Sequence, residues 1–201
     1  MVRLLVPRTK QRTPALRDHV LTVAVDVLAR DGVGGFTTRR LAEEASTSTP
    51  AVYELFGDKS GLVREVFFAG FRRLRGYLDA LEDSDDARAD LVRLAAVYRT
   101  FILENATLYQ VMFSRPFTDF DPAPSEVAAS ASVRVFVVEH VQRAVDAGAL
   151  LGDATDIAHA FVALVQGLAA AELAGRLGTN RRSVDRRWAL ALGALLDGLS
   201  P

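Results

Sequence analysis

The sequence predicts an all-α protein of about nine helices. Apolar residues recur at intervals of three and four along most of the chain, which is the spacing of one helix face. Period-two alternation of apolar and polar residues, the mark of a half-buried strand, never extends over a useful length. Proline and glycine fall mostly where such helices would begin or end, so they punctuate the helical pattern.

The first two predicted helices are bounded by residues that favour helix ends. Thr13 is suited to cap the first helix and Pro14 to occupy its first position, and Gly32 is expected to end it. The pair Thr37 and Thr38 would open a short second helix, because their hydroxyls can accept hydrogen bonds from unpaired main-chain N–H groups. The inner side of that helix would carry Leu41, Ala42 and Ala45.

The third helix follows a turn made by residues 46–48, Ser-Thr-Ser. Thr49 is expected to cap it, Pro50 to take its first position, and Gly57 to end it. Val52 and Phe56 would point inward.

A long fourth helix is predicted from Lys59 to about Leu81, with Asp58 as its cap. The acidic run 82–86 would form a solvated break after it. The composition of 114–124, with Pro116, Pro122, Asp119 and Asp121, predicts a surface loop. The remaining helices are expected near 87–103, 106–113, 125–147, 154–177 and 181–199.

Composition limits the compartment and the chemistry. The sequence has no cysteine, which excludes a disulfide framework and thiolate chemistry and agrees with a reducing cytosol. The apolar stretch of residues 1–6 is too short for a signal peptide, and basic residues follow at once. Because we find no run of ~18 uncharged residues, we expect no membrane span and a soluble, cytoplasmic protein.

Charge is distributed unevenly along the chain. Residues 1–40 carry eight basic and three acidic side chains, a net charge of +5. Since the whole chain has a formal net charge of −1, the remaining residues sum to −6. This asymmetry is typical of a segment that faces a phosphate backbone, although a disordered basic tail on a neutral domain would give the same count.

The segment 37–56, TTRRLAEEASTSTPAVYELF, has the spacing of a helix-turn-helix. It combines a short helix, a tight turn and a second helix with two inward apolar positions, and Ala42 and Ala45 would let the helices cross closely. In such a unit the N-terminal residues of the second helix meet base edges in the major groove, here Thr49, Pro50 and Ala51. A short helical pair within any bundle would show the same spacing.

The same region resembles the tetracycline-repressor-like (TetR) family of bacterial transcriptional regulators. The positions that carry the resemblance are small, apolar, Tyr and Lys residues at fixed intervals: Ala24, Leu28, Gly32, Thr37, Thr38, Leu41, Ala42, Ala45, Ser48, Val52, Tyr53, Phe56, Lys59 and Leu62. Residues 98–113 also resemble one subgroup of the family's C-terminal domains. The resemblance implies a three-helix DNA-binding domain followed by a helical ligand-binding and dimerisation bundle.

The resemblance also implies roles for individual residues. Thr38 would contact a phosphate, Tyr53 and Lys59 would hold the backbone on the other side, and Arg39 or Arg40 would reach a base or a phosphate. The full set expected to bind DNA is Thr37, Thr38, Arg39, Arg40, Ser48, Thr49, Pro50, Ala51, Tyr53 and Lys59. Three positions depart from the family pattern: Glu54, Leu55, and Ser46, which replaces the usual turn glycine and needs a left-handed conformation there. Glu54 would either accept from a cytosine amine or point to solvent.

In this family the effector pocket lies among helices four to eight, so we expect an apolar cavity with few polar groups. The candidate lining residues are Phe67, Phe71, Tyr98, Phe101, Asn105, Tyr109, His140, His159 and Gln166. The two histidines could equally be satisfied or half-exposed side chains without a ligand.

The last two helices combine small and apolar residues in stripes that suit a four-helix dimer interface, as the resemblance also implies. Ordinary packing within one chain is the alternative, and Trp188 could serve either arrangement. The candidate interface residues are Gly167, Ala170, Ala171, Ala174, Leu190, Ala191, Ala194 and Leu195.

We therefore expect a basic arm over 1–12, a DNA-binding domain over 13–60 and a ligand-binding and dimerisation domain over 61–201. The predicted function is a homodimeric regulator, a repressor released from an inverted-repeat operator in double-stranded DNA by a small hydrophobic effector, with no cofactor or metal. The alternatives are a helical protein without a DNA role and a metal-dependent enzyme. Asp156 and His159 could share a metal by spacing, but no third ligand accompanies them.

Overall fold

The computed structural model describes residues 13–113 and 124–201, and within them it is helical with no strand. The all-α prediction is therefore confirmed. The expected basic arm 1–12 lies outside the described residues, as does the predicted loop except Pro124. The helices are α1 Pro14–Gly35, α2 Thr38–Glu44, α3 Thr49–Phe56, α4 Lys59–Asp79, α5 Ala87–Glu104, α6 Ala106–Phe113, α7 Pro124–Asp146, α8 Ala154–Leu173 and α9 Arg181–Gly198.

Most helix ends follow the local signals in the sequence. The Thr13 hydroxyl accepts a hydrogen bond from Leu16 N at 3.3 Å, and Asp58 Oδ1 accepts one from Gly61 N at 2.7 Å. At Gly32 the backbone leaves the helical region, with φ at +66°, but helical structure resumes and continues to Gly35. The predicted end of α1 is thus a kink. α8 ends four residues before the predicted Leu177, because the chain turns at Gly175, where φ is +67°.

The chain divides into two compact units, Met1–Val66 and Phe67–Pro201. In the first unit α1 packs on α2 and α2 on α3. Its core consists of fully buried apolar side chains from these helices and the start of α4: Val20, Ala24, Val27, Leu28, Leu41, Val52, Leu62 and Val66.

In the second unit α5 packs against α6, α7 and α8, and α8 also packs against α7 and α9. Arg99 of α5 joins three of these helices through ion pairs to Glu172 at 2.7 Å and Asp185 at 2.8 Å. Its guanidinium also lies 5.0 Å from the ring centroid of Trp188, whose indole N–H donates to Glu172 at 2.8 Å. Trp188 is therefore buried within its own chain and is no part of an exposed interface.

The acidic run 82–86 separates α4 from α5 as predicted, but it is more than a solvated break. Asp86 caps α5, and Asp83 pairs with Arg143 and with His140 Nε2 at 3.2 Å. Ser84 donates to the buried carboxylate of Asp90 through its main-chain N–H at 3.0 Å and its hydroxyl at 2.7 Å. These bonds offset the cost of burying that charge.

α8 is long and apolar enough to cross a membrane by length and composition alone, with a mean hydropathy of 1.4, which the sequence analysis did not anticipate. Its residues Ile157, Phe161, Val165 and Ala169 are buried in the second unit. A helix that is apolar on more than one face passes the same test when it packs on several neighbours.

Candidate nucleic-acid interface and ligand cavity

The turn between α2 and α3 is a Schellman motif, which fixes how the chain leaves α2. Thr47 N donates to Ala42 O at 2.9 Å and Ser46 N to Glu43 O at 3.1 Å. Ser46 occupies the left-handed position with φ at +50°, as predicted from its place in the turn. The conformation is usually taken by glycine, so the serine carries a modest strain.

The first turn of α3 begins one residue earlier than predicted. Ser48, and not Thr49, is the cap, since its hydroxyl accepts a hydrogen bond from Ala51 N at 3.3 Å. Thr49 and Pro50 then occupy the first two helical positions, where the N–H that proline lacks would be unpaired anyway. Val52 and Phe56 are buried as predicted.

The residues expected to face DNA from α3 are accessible. Ser48 and Pro50 are exposed, Thr49 and Ala51 are half-buried, and Tyr53 is 43% exposed. Lys59, at the start of α4, is also exposed. These six positions therefore lie on the surface of one unit, on two consecutive helices.

The α2 residues differ from one another in availability. Thr37 is the cap of α2, with its hydroxyl accepting from Arg40 N at 3.2 Å, and it is exposed, whereas Thr38 is buried. Arg39 is exposed, and among the described residues its ion pair is with Glu43 one turn away, at 3.1 Å. Such exposed ion pairs contribute little to stability, so Arg39 can exchange Glu43 for a phosphate at small cost.

Arg40 belongs to an ionic cluster that connects α1 to α2. Its guanidinium pairs with Asp31 at 3.0 Å and Glu44 at 3.1 Å, and Arg30 contacts the same two carboxylates at 3.0 and 2.6 Å. Hydrogen bonding to Glu44 and then to Asp31 raises the pKa of Arg30, and the bonds from Arg30 and Arg40 lower the pKa of Glu44. Arg39 is therefore the better placed of the two predicted arginines for DNA contact.

Two further residues fix the position of α3, and the sequence analysis assigned neither a role. Arg17 of α1 forms a two-pronged pair with Glu65 of α4, at 2.6 and 3.3 Å, and lies 5.1 Å from the ring centroid of Phe56. Gly61 of α4 leaves room for the main-chain carbonyl of Phe56, which any Cβ at this position would overlap. Both contacts hold the C-terminal end of α3.

The second unit contains a cavity of about 540 Å³ between α4, α5, α6, α7 and α8. Four predicted residues line it: Phe71, Tyr98, His159 and Gln166. Gln166 Nε2 donates to the Tyr98 hydroxyl at 3.3 Å, and burial raises the pKa of that hydroxyl. The other lining residues are Phe113, Val127, Ser130, Ala131, Val133, Arg134, Val137, Ala158, Val162 and Ala163.

Five predicted lining residues lie elsewhere. Phe101 is fully buried and packs edge-on against Tyr77, with ring centroids 5.5 Å apart. Asn105 is also buried and donates to Phe101 O at 2.9 Å, and His140 bonds to Phe136 O at 2.8 Å. Phe67 and Tyr109 do not line the cavity either, although Tyr109 contacts the lining residue Phe113 with centroids 4.8 Å apart.

His140 was the one lining residue predicted on α7, whereas it is the face at 127, 130, 131, 134 and 137 that supplies much of the cavity wall. The helical spacing of these positions was visible in the sequence. Nothing local distinguished that face from the others of an amphipathic helix.

The candidate interface residues of α8 and α9 are accessible in the single chain. Leu190 is 71% exposed, Gly167, Ala170, Ala174 and Ala194 are exposed, and Ala171, Ala191 and Leu195 are half-buried. The cores of these two helices are instead built from Val165, Ala169, Leu192 and Leu196. Most of these residues are therefore available for contact with another surface, and Ala171, Ala191 and Leu195 also pack partly within their own chain.

The Asp156 and His159 pair does not extend to a metal site in the part of the chain that the structure describes. There, no three His, Cys, Asp or Glu side chains come together in a way that could hold a metal ion. His159 Nδ1 bonds to Thr155 O at 2.7 Å, so this ring nitrogen carries a proton and donates.

Comparison with known proteins identifies both units. Residues 20–66 match the family model for bacterial regulatory proteins of the tetR family, and residues 91–195, more than half of the chain, match the model for the tetracyclin repressor-like C-terminal domain. No curated protein matches the chain.

Several solved structures are similar over nearly the whole chain. A protein of unknown function from Rhodococcus sp. RHA1 is 30% identical over 96% of this chain and 100% of its own, with a TM-score of 0.82. A single-substitution variant of TetR from Acinetobacter baumannii AYE, in complex with minocycline, is 21% identical over 89% of this chain and 93% of its own, with a TM-score of 0.62. The TetR-family regulator PfmR from Thermus thermophilus is 17% identical over 90% and 99%, with a TM-score of 0.67. The last two likenesses bear on the fold alone.

Proposed function

Because the chain belongs to the TetR family of bacterial transcriptional regulators, we propose that it is a cytoplasmic repressor that leaves its operator when a small apolar molecule fills the cavity. Proteins of this family bind DNA and small-molecule ligands as dimers, and the assignment indicates a regulator and not an enzyme. The observation that carries the proposal is the solvent-accessible first turn of α3, with Ser48 and Pro50 exposed, on a helix-turn-helix.

The proposed DNA contacts fall into two groups. Thr49, Pro50 and Ala51 would meet base edges, because the N-terminal turn of a recognition helix enters the major groove. Tyr53, Lys59 and Arg39 would bind phosphates, which position the protein without reading sequence. Thr37 and Ser48 would add contacts at the two helix N-termini, whose dipoles favour phosphate.

The exposed small and apolar face of α8 and α9 would form the homodimer. A two-fold interface needs a self-complementary patch, and small side chains allow four helices to approach closely. Leu190, at 71% exposure, would then be buried against the partner subunit. Such a dimer would recognise an inverted repeat with half-sites ~34–36 Å apart, or a multiple of that distance.

An effector releases the operator only if it binds the DNA-incompetent arrangement more tightly than the competent one. α4 is suited to couple the two events, since residues 59–66 belong to the first unit and Phe71 lines the cavity. A coupling of about 1–3 kcal/mol would weaken operator binding ~5–150-fold.

The test has a DNA arm and an effector arm. Selection of bound genomic fragments should recover an inverted repeat, and titration of that repeat against a library of apolar compounds should find one that lowers affinity. Val162→Phe, which fills the cavity from α8, should abolish the response, whereas Val92→Phe on the exposed side of α5 should preserve it. Recovery of no repeat would reject operator binding, and an equal response in both variants would reject the cavity as the effector site.

A further inference from the structure

The polar side chains around the cavity carry information about the charge of its ligand. Most of the lining is apolar, contributed by Phe71, Phe113 and the valines and alanines of α7 and α8. Among the described lining residues there is one guanidinium, Arg134, and no carboxylate. A ligand carrying a positive charge would therefore meet an unpaired like charge and no counter-ion.

Arg134 has no ion-pair partner within the described part of the protein. Other arginines of the second unit do make ion pairs, as Arg99 does with Glu172 and Asp185, and Arg143 with Asp83 and Asp90. Within the described residues Arg134 makes no ion pair and no side-chain hydrogen bond, and it is exposed, so it lies at the open side of the cavity. Its five N–H donors are available to an incoming group.

The cavity lining also contains a buried neutral donor. Tyr98 is only 1% exposed, and its hydroxyl oxygen accepts from Gln166 at 3.3 Å. The described residues supply no acceptor for the hydroxyl proton, and burial raises the Tyr98 pKa, so the group stays protonated and able to donate. The described lining thus offers a buried neutral donor, a mostly apolar wall and an exposed cation.

We propose that the effector is an amphipathic carboxylic acid, with its apolar body in the cavity and its carboxylate on Arg134. A guanidinium binds a carboxylate with two parallel hydrogen bonds, which a neutral amide cannot reproduce. This inference rests on the proposed function in one respect, namely that the cavity is the effector site. It adds the chemical class of the ligand.

The experiment compares three probes of equal chain length: decanoate, decanamide and decylammonium. Calorimetric titration of the full-length protein without DNA should give decanoate the highest affinity, about tenfold above decanamide, with decylammonium the weakest. Arg134→Gln should reduce the decanoate-to-decanamide ratio to about one while leaving decanamide affinity unchanged. Arg134→Lys should retain part of the preference, since it keeps the charge but loses the planar fork.

Two further variants serve as controls. Arg73→Gln removes an exposed charge of α4 outside the lining and should leave the ratio intact. Tyr98→Phe should weaken both acid and amide or neither, because it removes a neutral donor. If the decanoate-to-decanamide affinity ratio falls in Tyr98→Phe but stays at its wild-type value in Arg134→Gln, the assignment of the carboxylate to Arg134 is wrong.

Equal binding of the three probes to wild-type protein, or no binding of any, would also overturn the proposal. Operator affinity is measured separately with and without decanamide and with the compound library. If a neutral compound releases the operator, the proposed function is supported and the carboxylic-acid class of effector is rejected. Decanoate binding that is lost in Arg134→Gln but never alters operator affinity would instead support the ligand class and reject effector release.

Discussion

Replacement of Gly61 by alanine should separate the effect of helix propensity from the effect of packing at the recognition helix. Within a helix, alanine is more stable than glycine by roughly 0.5–1 kcal/mol, because it loses less backbone entropy on folding. Gly76, on the same helix, meets nothing within 4 Å of an added Cβ, so Gly76→Ala should gain about that amount. At Gly61 the added Cβ would overlap the Phe56 carbonyl oxygen.

The position of a Cβ is set by the backbone and its neighbour is a main-chain carbonyl, so no side-chain rotation relieves the overlap. Overpacking in well-packed sites typically costs about 1–3 kcal/mol. Subtracting the propensity gain leaves Gly61→Ala about 0–2.5 kcal/mol less stable than wild type and clearly less stable than Gly76→Ala. For a chain of 201 residues, each kcal/mol lowers the melting temperature by roughly 2–4 °C. The shift of Phe56 would also displace the C-terminal end of α3 and weaken operator binding.

Calorimetric melting and operator titration of the two variants measure these effects. Ser60→Ala, at an exposed neighbouring position of the same unit, controls for substitution near the start of α4 and should be close to neutral. The opposite outcome is a melting temperature of Gly61→Ala that equals or exceeds that of Gly76→Ala, together with an operator affinity equal to that of wild type. The close approach of α3 to α4 would then not be what positions the recognition helix.

Three other outcomes are expected. Lys59→Ala should weaken binding to all DNA sequences about equally and lower the slope of log affinity against log salt by roughly one per half-site. Arg73→Ala, ~21 Å further along α4, should leave this slope unchanged. An unchanged slope for Lys59→Ala would rule out its phosphate contact. Thr47→Val should raise the free energy of unfolding, measured by urea titration, by about 1 kcal/mol. The reason is that, among the described residues, the Thr47 hydroxyl is buried without a hydrogen bond. A loss of stability would reveal a partner for this hydroxyl. Enlarging Ala51 to Gln should change the preferred operator sequence in a selection experiment, and an identical preference would remove Ala51 from the base-contacting turn.

The sequence by itself determined the helices and the helix-turn-helix. Helix ends depend on residues within three or four positions of each other, so Thr13, Thr37 and Asp58 could be identified as caps without any knowledge of the fold. The left-handed turn at Ser46 was expected from the resemblance to the family, which usually has glycine there, and the structure has φ at +50°. The error at the start of α3, Thr49 in place of Ser48, displaced the cap by a single residue, because adjacent hydroxyl side chains offer the same chemistry.

Only the tertiary structure decided which side chains those helices bring together. Whether Arg40 is available for DNA depends on Asp31, nine residues away on another helix, and the need for glycine at 61 depends on a carbonyl at the end of α3. The cavity required the most correction: Phe101 and Asn105 are buried in the core, while Arg134 and the α7 face line the wall. Periodicity shows that a helix has an apolar face, but the neighbour that covers this face, or leaves it open to a cavity, is set by contacts between residues distant in sequence.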